Sequence, residues 1–166
     1  MQNNATGKNA ERSYLEEGSK LFEATGCAVC HRQKLGEVTG VYSDLLLHDM
    51  GTQLSDSGNY ASFAPNATEE DELKQPLPTL ITQGQKQKPV DESKLVGATR
   101  NEWRTPPLWG LRDSAPYLHD GRAATIDQAI ALHGGEGAHA AAKFVKLTPA
   151  ERLKLTLFLR SLAAPN

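Results

Sequence analysis

The sequence predicts a mainly α-helical domain, and three observations predict it. Two segments near opposite ends of the chain carry apolar residues at helical spacing. Between them, about 32–100 is rich in Gly, Pro, Ser and Asn and reads as mostly irregular. The motif Cys27-Ala28-Val29-Cys30-His31 directly follows the first helical segment. So long an irregular stretch is unusual inside a compact domain. It makes sense if the core is organised around something other than side chains.

The N-terminal end, 1–10, is small and polar and reads as a flexible lead-in, with a single domain over 11–166. Tyr14, Leu15, Leu21 and Phe22 predict a helix over about 11–24, ended by Thr25-Gly26. Within the irregular stretch, 45–47 and 77–81 are short and apolar. The acidic 68–74 forms at most a turn of helix, and the polar 83–88 an exposed loop or hairpin tip. Thr125-Ile126-Asp127-Gln128 has the capping-box form, with Ile126, Ala129 and Ile130 on one face and Gly134-Gly135 stopping the helix after His133. A short helix is expected over 138–144. Thr148-Pro149-Ala150-Glu151 is a second capping box, opening a helix over about 149–163 whose stripe is Leu153, Leu157, Phe158 and Leu162. The two end helices have no other partner for their stripes and are expected to pack on each other.

Composition excludes several classes. At 39% apolar and 23% charged the chain is an ordinary globular protein, and a net charge of −2 gives no reason to expect nucleic acid as a partner. No apolar run is long enough for a membrane span. Two cysteines make neither a disulfide-rich scaffold nor a four-cysteine cluster. The N-terminus lacks a charged n-region followed by an apolar h-region, so no signal peptide is expected in this chain.

Cys27, Cys30 and His31 form the CxxCH pattern of c-type haem attachment. Two thiols three positions apart on a helical turn reach the two vinyl groups of one haem, and the adjacent imidazole then lies over the iron, making His31 the proximal ligand. The competing readings lack support. A redox dithiol needs a βαβ setting, and a zinc site needs further Cys or His ligands at short spacing. The expectation is therefore a cytochrome c-like helical domain around one covalently bound haem c. Covalent haem attachment occurs outside the bacterial cytoplasm, so the expected location is the periplasm.

The sixth ligand is open on the residues alone. Met50, His48, His119, His133 and His139 are candidates, as is an open or water-bound site. Met is a common distal ligand, but Met50 follows His31 by only 19 positions. Arg104 is a candidate partner for a haem propionate, since a guanidinium pairs with a carboxylate bidentately. Trp103, Trp109 and Tyr117 read as packing residues. No catalytic acid or base constellation stands out.

The C-terminal half carries a resemblance. Glu102 to Gly110 (EWRTPPLWG), Ala115 to Arg122 (APYLHDGR) and Thr125 to His133 resemble the C-terminal haem domain of bacterial di-haem cytochrome c peroxidases and their MauG-like relatives. Tyr42 to Gly51 and His133-Gly134-Gly135-Glu136 are similar to the di-haem oxidoreductase branch, often labelled thiol oxidoreductase. The likeness runs over about 18–162. It implies His133 as the distal ligand, because in the peroxidase pattern that ligand closes the helix after the Tyr-x-His-x-Gly segment. Members of that family carry at least two haems in two domains, whereas this chain has one CxxCH. The expected function is thus electron transfer through a six-coordinate, bis-histidine haem, with a redox protein or another haem domain as partner. The alternative is peroxidase or thiol oxidoreductase activity at an open iron.

Overall fold

The computed structural model describes residues 3–56 and 98–164. The features expected at 68–74, 77–81 and 83–88 lie outside the described residues. The chain divides into two compact units, 1–55 with 101–166, and 56–100. Of the second, the described ends are joined by the Asp56 amide donating to the Arg100 carbonyl at 3.0 Å.

Helix α1 spans Asn3–Thr25, beginning earlier than the expected 11. The apolar spacing marks only the packed part of a helix, and nothing before Tyr14 carries that signal. The Thr25 hydroxyl turns back to the Leu21 and Phe22 carbonyls (2.7 and 3.2 Å), and Gly26, at φ 96°, leaves the helix. A 3₁₀ turn, Cys27–Val29, follows at once. Two small antiparallel ladders come next in the irregular region: β1 (Lys34–Leu35) with β2 (Val38–Thr39), and β3 (Leu47–Asp49) with β4 (Glu102–Arg104), where His48 faces Trp103.

Three helices close the unit: α2 (Ile126–Ala131), α3 (Ala138–Lys146) and α4 (Pro149–Ser161). Both predicted capping boxes are formed, Thr125 with Gln128 and Thr148 with Glu151. Among the described residues the unit is thus about half helical, with four α-helices and a few two- and three-residue strands.

The end helices pack on each other, as their unpartnered stripes require. Phe22 of α1 meets Phe158 of α4 at 5.6 Å between ring centres, and Tyr42 stands edge-on to both at about 6 Å. Leu155, Leu159, Phe144, Ile126 and Leu108 complete the core. The phase of α4 differs from expectation. Leu153 and Leu157 are exposed, and Leu155, Phe158 and Leu159 are buried. Leucines alternate along this helix at 153, 155, 157 and 159, so two stripes fit its sequence equally well. Packing against α1 selects one.

The crossing depends on Gly18. A β-carbon there would lie 2.3 Å from the Lys154 carbonyl oxygen and 2.7 Å from Phe158 Cβ. Ala is the better helix former by about 1 kcal/mol, but the atom it would strike is backbone. Overpacking of this kind costs about 1–3 kcal/mol, so Gly18→Ala is expected to lower stability in a thermal or denaturant melt. A gain in stability would mean that the helices cross less closely.

Candidate haem-binding site

A cavity of about 670 Å³ opens inside this unit, and every expected haem contact lies on its wall: Cys27, Cys30, His31, Arg104 and His133, together with Met50. Its size is that of a small-molecule or cofactor site. Leu54, Leu108, Ile126, Ile130 and Leu159 give the wall its apolar character.

The two thiols are set by the turn after α1. Cys27 is the more enclosed and lies 3.3 Å from the Thr25 hydroxyl. Burial pushes the Cys27 thiol up, and burial with the nearby Asp44 carboxylate pushes Cys30 up. Both are therefore thiols at neutral pH. Cys30, Asp44 and His48 do offer donor atoms within 4.8 Å of one another. However, both ring nitrogens of His48 are already directed at carboxylates, as described below.

His31 and His133 are built alike. His31 Nδ1 faces the Tyr42 carbonyl at 3.1 Å, and His133 Nδ1 faces the Ala129 carbonyl at 2.7 Å, one turn back along α2. A carbonyl at Nδ1 favours the tautomer with the proton there, which makes Nε2 the nitrogen a metal would take; the Pro106 carbonyl also lies within reach of the His31 ring. Burial lowers both imidazoles, His31 to about 4 against the opposing pull of the Tyr42 carbonyl. They are neutral at physiological pH, which is the ligating form.

Met50 shares the wall with His133. A β-carbon at Gly137 would lie 3.2 Å from the Met50 methyl and 3.4 Å from His133 Cδ2. The structure thus brings Met50 and His133, of the five sixth-ligand candidates on the wall, to one place. His133 is the one with its orientation fixed by a hydrogen bond.

Arg104 ends β4, and its guanidinium donates to the Leu45 carbonyl. It is the one Lys or Arg on the wall among the described residues. Trp103 packs on the wall with its indole N–H donating to the Leu54 carbonyl at 2.8 Å. His119 stacks on it, ring centres 3.7 Å apart and 13° between planes. His119 is therefore held as a packing residue, and His139 sits exposed at the rim.

Sequence reasoning missed one arrangement. His48 directs Nε2 at Asp44 (3.0 Å) and Nδ1 at Glu136 (2.8 Å). The Glu136 hydrogen bond, against partial burial, raises His48, and Asp44 and Glu136 are both held below the usual carboxylate range. The two carboxylates are far apart in the sequence, so no local spacing announces the bridge.

The apolar cavity with Cys27, Cys30, His31 and His133 on its wall fits a haem, and the known proteins this chain resembles support a haem-related redox function. The family model described as "Di-haem oxidoreductase, putative peroxidase" matches residues 89–162. Methylamine utilization protein MauG of Methylorubrum extorquens is 26% identical over 166 residues, covering 96% of this chain and 36% of that protein. Among solved structures, hydrazine synthase of Kuenenia stuttgartiensis, pressurised with xenon, matches with a TM-score of 0.50 at 23% identity, over 90% of this chain and 46% of that one. These matches support the resemblance to the MauG-like di-haem cytochrome c peroxidases, and the solved structure shares the fold. It spans about a third of the length of MauG and under half of the hydrazine synthase chain.

Proposed function

We propose that this chain is a mono-haem c-type electron-transfer domain, a cytochrome c-like fold closed on one covalent haem c with His31 and His133 as its axial ligands. The observation that carries the reading is the pair of half-buried, neutral imidazoles on one apolar cavity, each with a backbone carbonyl at Nδ1. When bound, the haem supplies the one-electron couple.

The chain does the rest. Cys27 and Cys30 would tether the group through two thioethers beside the turn after α1. His31 and His133 would ligate the metal and keep other molecules off it. The leucine and isoleucine wall would surround the group with apolar side chains, which limits reorganisation when charge changes. No group on the wall is required to move a proton, so no catalytic residue is assigned. The partner is a redox protein or another haem domain, and the location is the bacterial periplasm, where haem is attached covalently. Among the described residues no helix is long and apolar enough to cross a membrane.

The test is optical. Spectra of both oxidation states are expected to be low-spin and unchanged by cyanide, carbon monoxide or peroxide added briefly. A prompt change with peroxide would move the protein to the alternative, a peroxidase or thiol oxidoreductase with an openable site.

Arg104 gives a second expectation. As the one Lys or Arg on the described wall it is the propionate partner. A nearby positive charge disfavours the oxidised, more positive haem, so its removal lowers the potential. Because Arg104 is exposed, solvent screens the effect to roughly tens of millivolts. Arg104→Leu is therefore expected to lower the midpoint in a redox titration while leaving the spectrum low-spin. An unchanged or raised midpoint would argue against the contact.

A further inference from the structure

We propose that the segment Tyr42–Gly51 is a splint joining the two axial histidines, and that His48, bridging Asp44 and Glu136, is a positioning residue for His133. The inference rests on the bis-histidine reading above and deepens it.

One end of the segment holds His31. The Tyr42 carbonyl accepts from His31 Nδ1, and the Tyr42 ring is locked edge-on between Phe22 and Phe158. Ser43 is fully buried. Its amide donates to the Arg32 carbonyl and its hydroxyl to the Thr105 carbonyl. Tyr42 and Leu45 both sit at positive φ, 51° and 58°, a conformation that non-glycine residues keep only when their surroundings impose it.

The other end holds the turn that follows His133. Gly134, Gly135 and Gly137 let that turn lie directly on residues 49–51. A β-carbon at Gly134 would fall 2.6 Å from the Met50 carbonyl oxygen, and one at Gly135 2.1 Å from that of Asp49. Between those glycines stands Glu136. One of its carboxylate oxygens accepts from the Asp49 amide at 3.1 Å and the other meets His48 Nδ1 at 2.8 Å. His48 is anchored in turn by Asp44, whose second oxygen accepts from the Leu46 amide at 3.0 Å. The bridge therefore ties the turn beside His133 to the strand that leads back to the His31 anchor. Groups that orient a metal-ligating histidine in this way tune its affinity as strongly as many direct contacts.

The experiment measures cyanide binding to the ferric holoprotein. Cyanide takes the iron only after His133 leaves, so the limiting rate at saturating cyanide reads that departure. Glu136→Ala and His48→Ala are expected to raise the rate about tenfold or more. Glu136→Gln, which keeps an acceptor for the Asp49 amide, is expected to fall between them and the wild type. Lys154→Ala removes an ion pair with Glu17 between α1 and α4, away from the bridge, and is expected to leave the rate unchanged. Equal rates in the wild type and the bridge variants would overturn the proposal, as would a rise shared by Lys154→Ala. If His133→Ala itself leaves the spectrum and the rate untouched, the ligation reading fails, which the same measurement distinguishes.

Discussion

Replacing Cys27 and Cys30 together by alanine is expected to abolish covalent haem and to leave a chain that no longer melts cooperatively. The size of the cavity decides this. At about 24 cal/mol per Å³ of empty volume, a 670 Å³ void would cost roughly 16 kcal/mol. That is as large as the whole stability of a typical domain, about 5–15 kcal/mol. The figure is an upper bound, because the mouth admits water and the walls can collapse inwards, but even a third of it would be felt throughout the unit. The apolar core beside the cavity is small, and several of its members, among them Phe22, Leu108, Ile126 and Leu159, also line the cavity. Losing the haem therefore removes a contact partner from the core itself. Acid extraction of the haem and a circular-dichroism melt check the result. A compact, haem-free double variant with a sharp transition would show that the side chains suffice on their own.

How legible this was in the sequence differs by element. The capping boxes at Thr125 and Thr148 were readable because each is a local hydrogen-bond exchange over four residues, and both form as written. The pairing of the end helices was readable because two apolar stripes lacked any other cover. The phase of α4 was not, since its leucines satisfy two faces and only tertiary packing decides between them. At the candidate site, the CxxCH motif pointed to Cys27, Cys30 and His31 and the likeness to the peroxidase domain to His133, and all four line one cavity. The Tyr42 carbonyl that orients His31 left no trace, because a backbone oxygen has no side-chain signature. The Asp44–His48–Glu136 bridge left none either, since it joins strand β3 to the turn after α2 across most of the chain.

His133→Ala is expected to open one face of the haem, and Met50→Ala is expected to change little. Both side chains reach the same part of the wall, beside Gly137, so proximity alone does not choose between them. Orientation does. His133 stands at the end of α2 with Nδ1 held 2.7 Å from the Ala129 carbonyl, which fixes its ring and leaves Nε2 for the metal. Its burial keeps it neutral, so no proton competes for that nitrogen at physiological pH. The Met50 side chain has three rotatable bonds and no comparable tether. With histidine on both faces the potential lies below that of a His/Met haem, because methionine raises it. The ferric wild type should then lack the near-infrared band that a methionine sulfur ligand produces. In His133→Ala the ferric spectrum should turn high-spin and respond to cyanide within mixing time, whereas Met50→Ala should stay low-spin and slow. A third pattern is equally readable. If His133→Ala stays low-spin but gains the methionine band, Met50 has moved in from the adjacent wall, and the double variant should then be high-spin. If Met50→Ala alone opens the site, His133 is not the distal ligand and the cavity holds a His/Met haem instead.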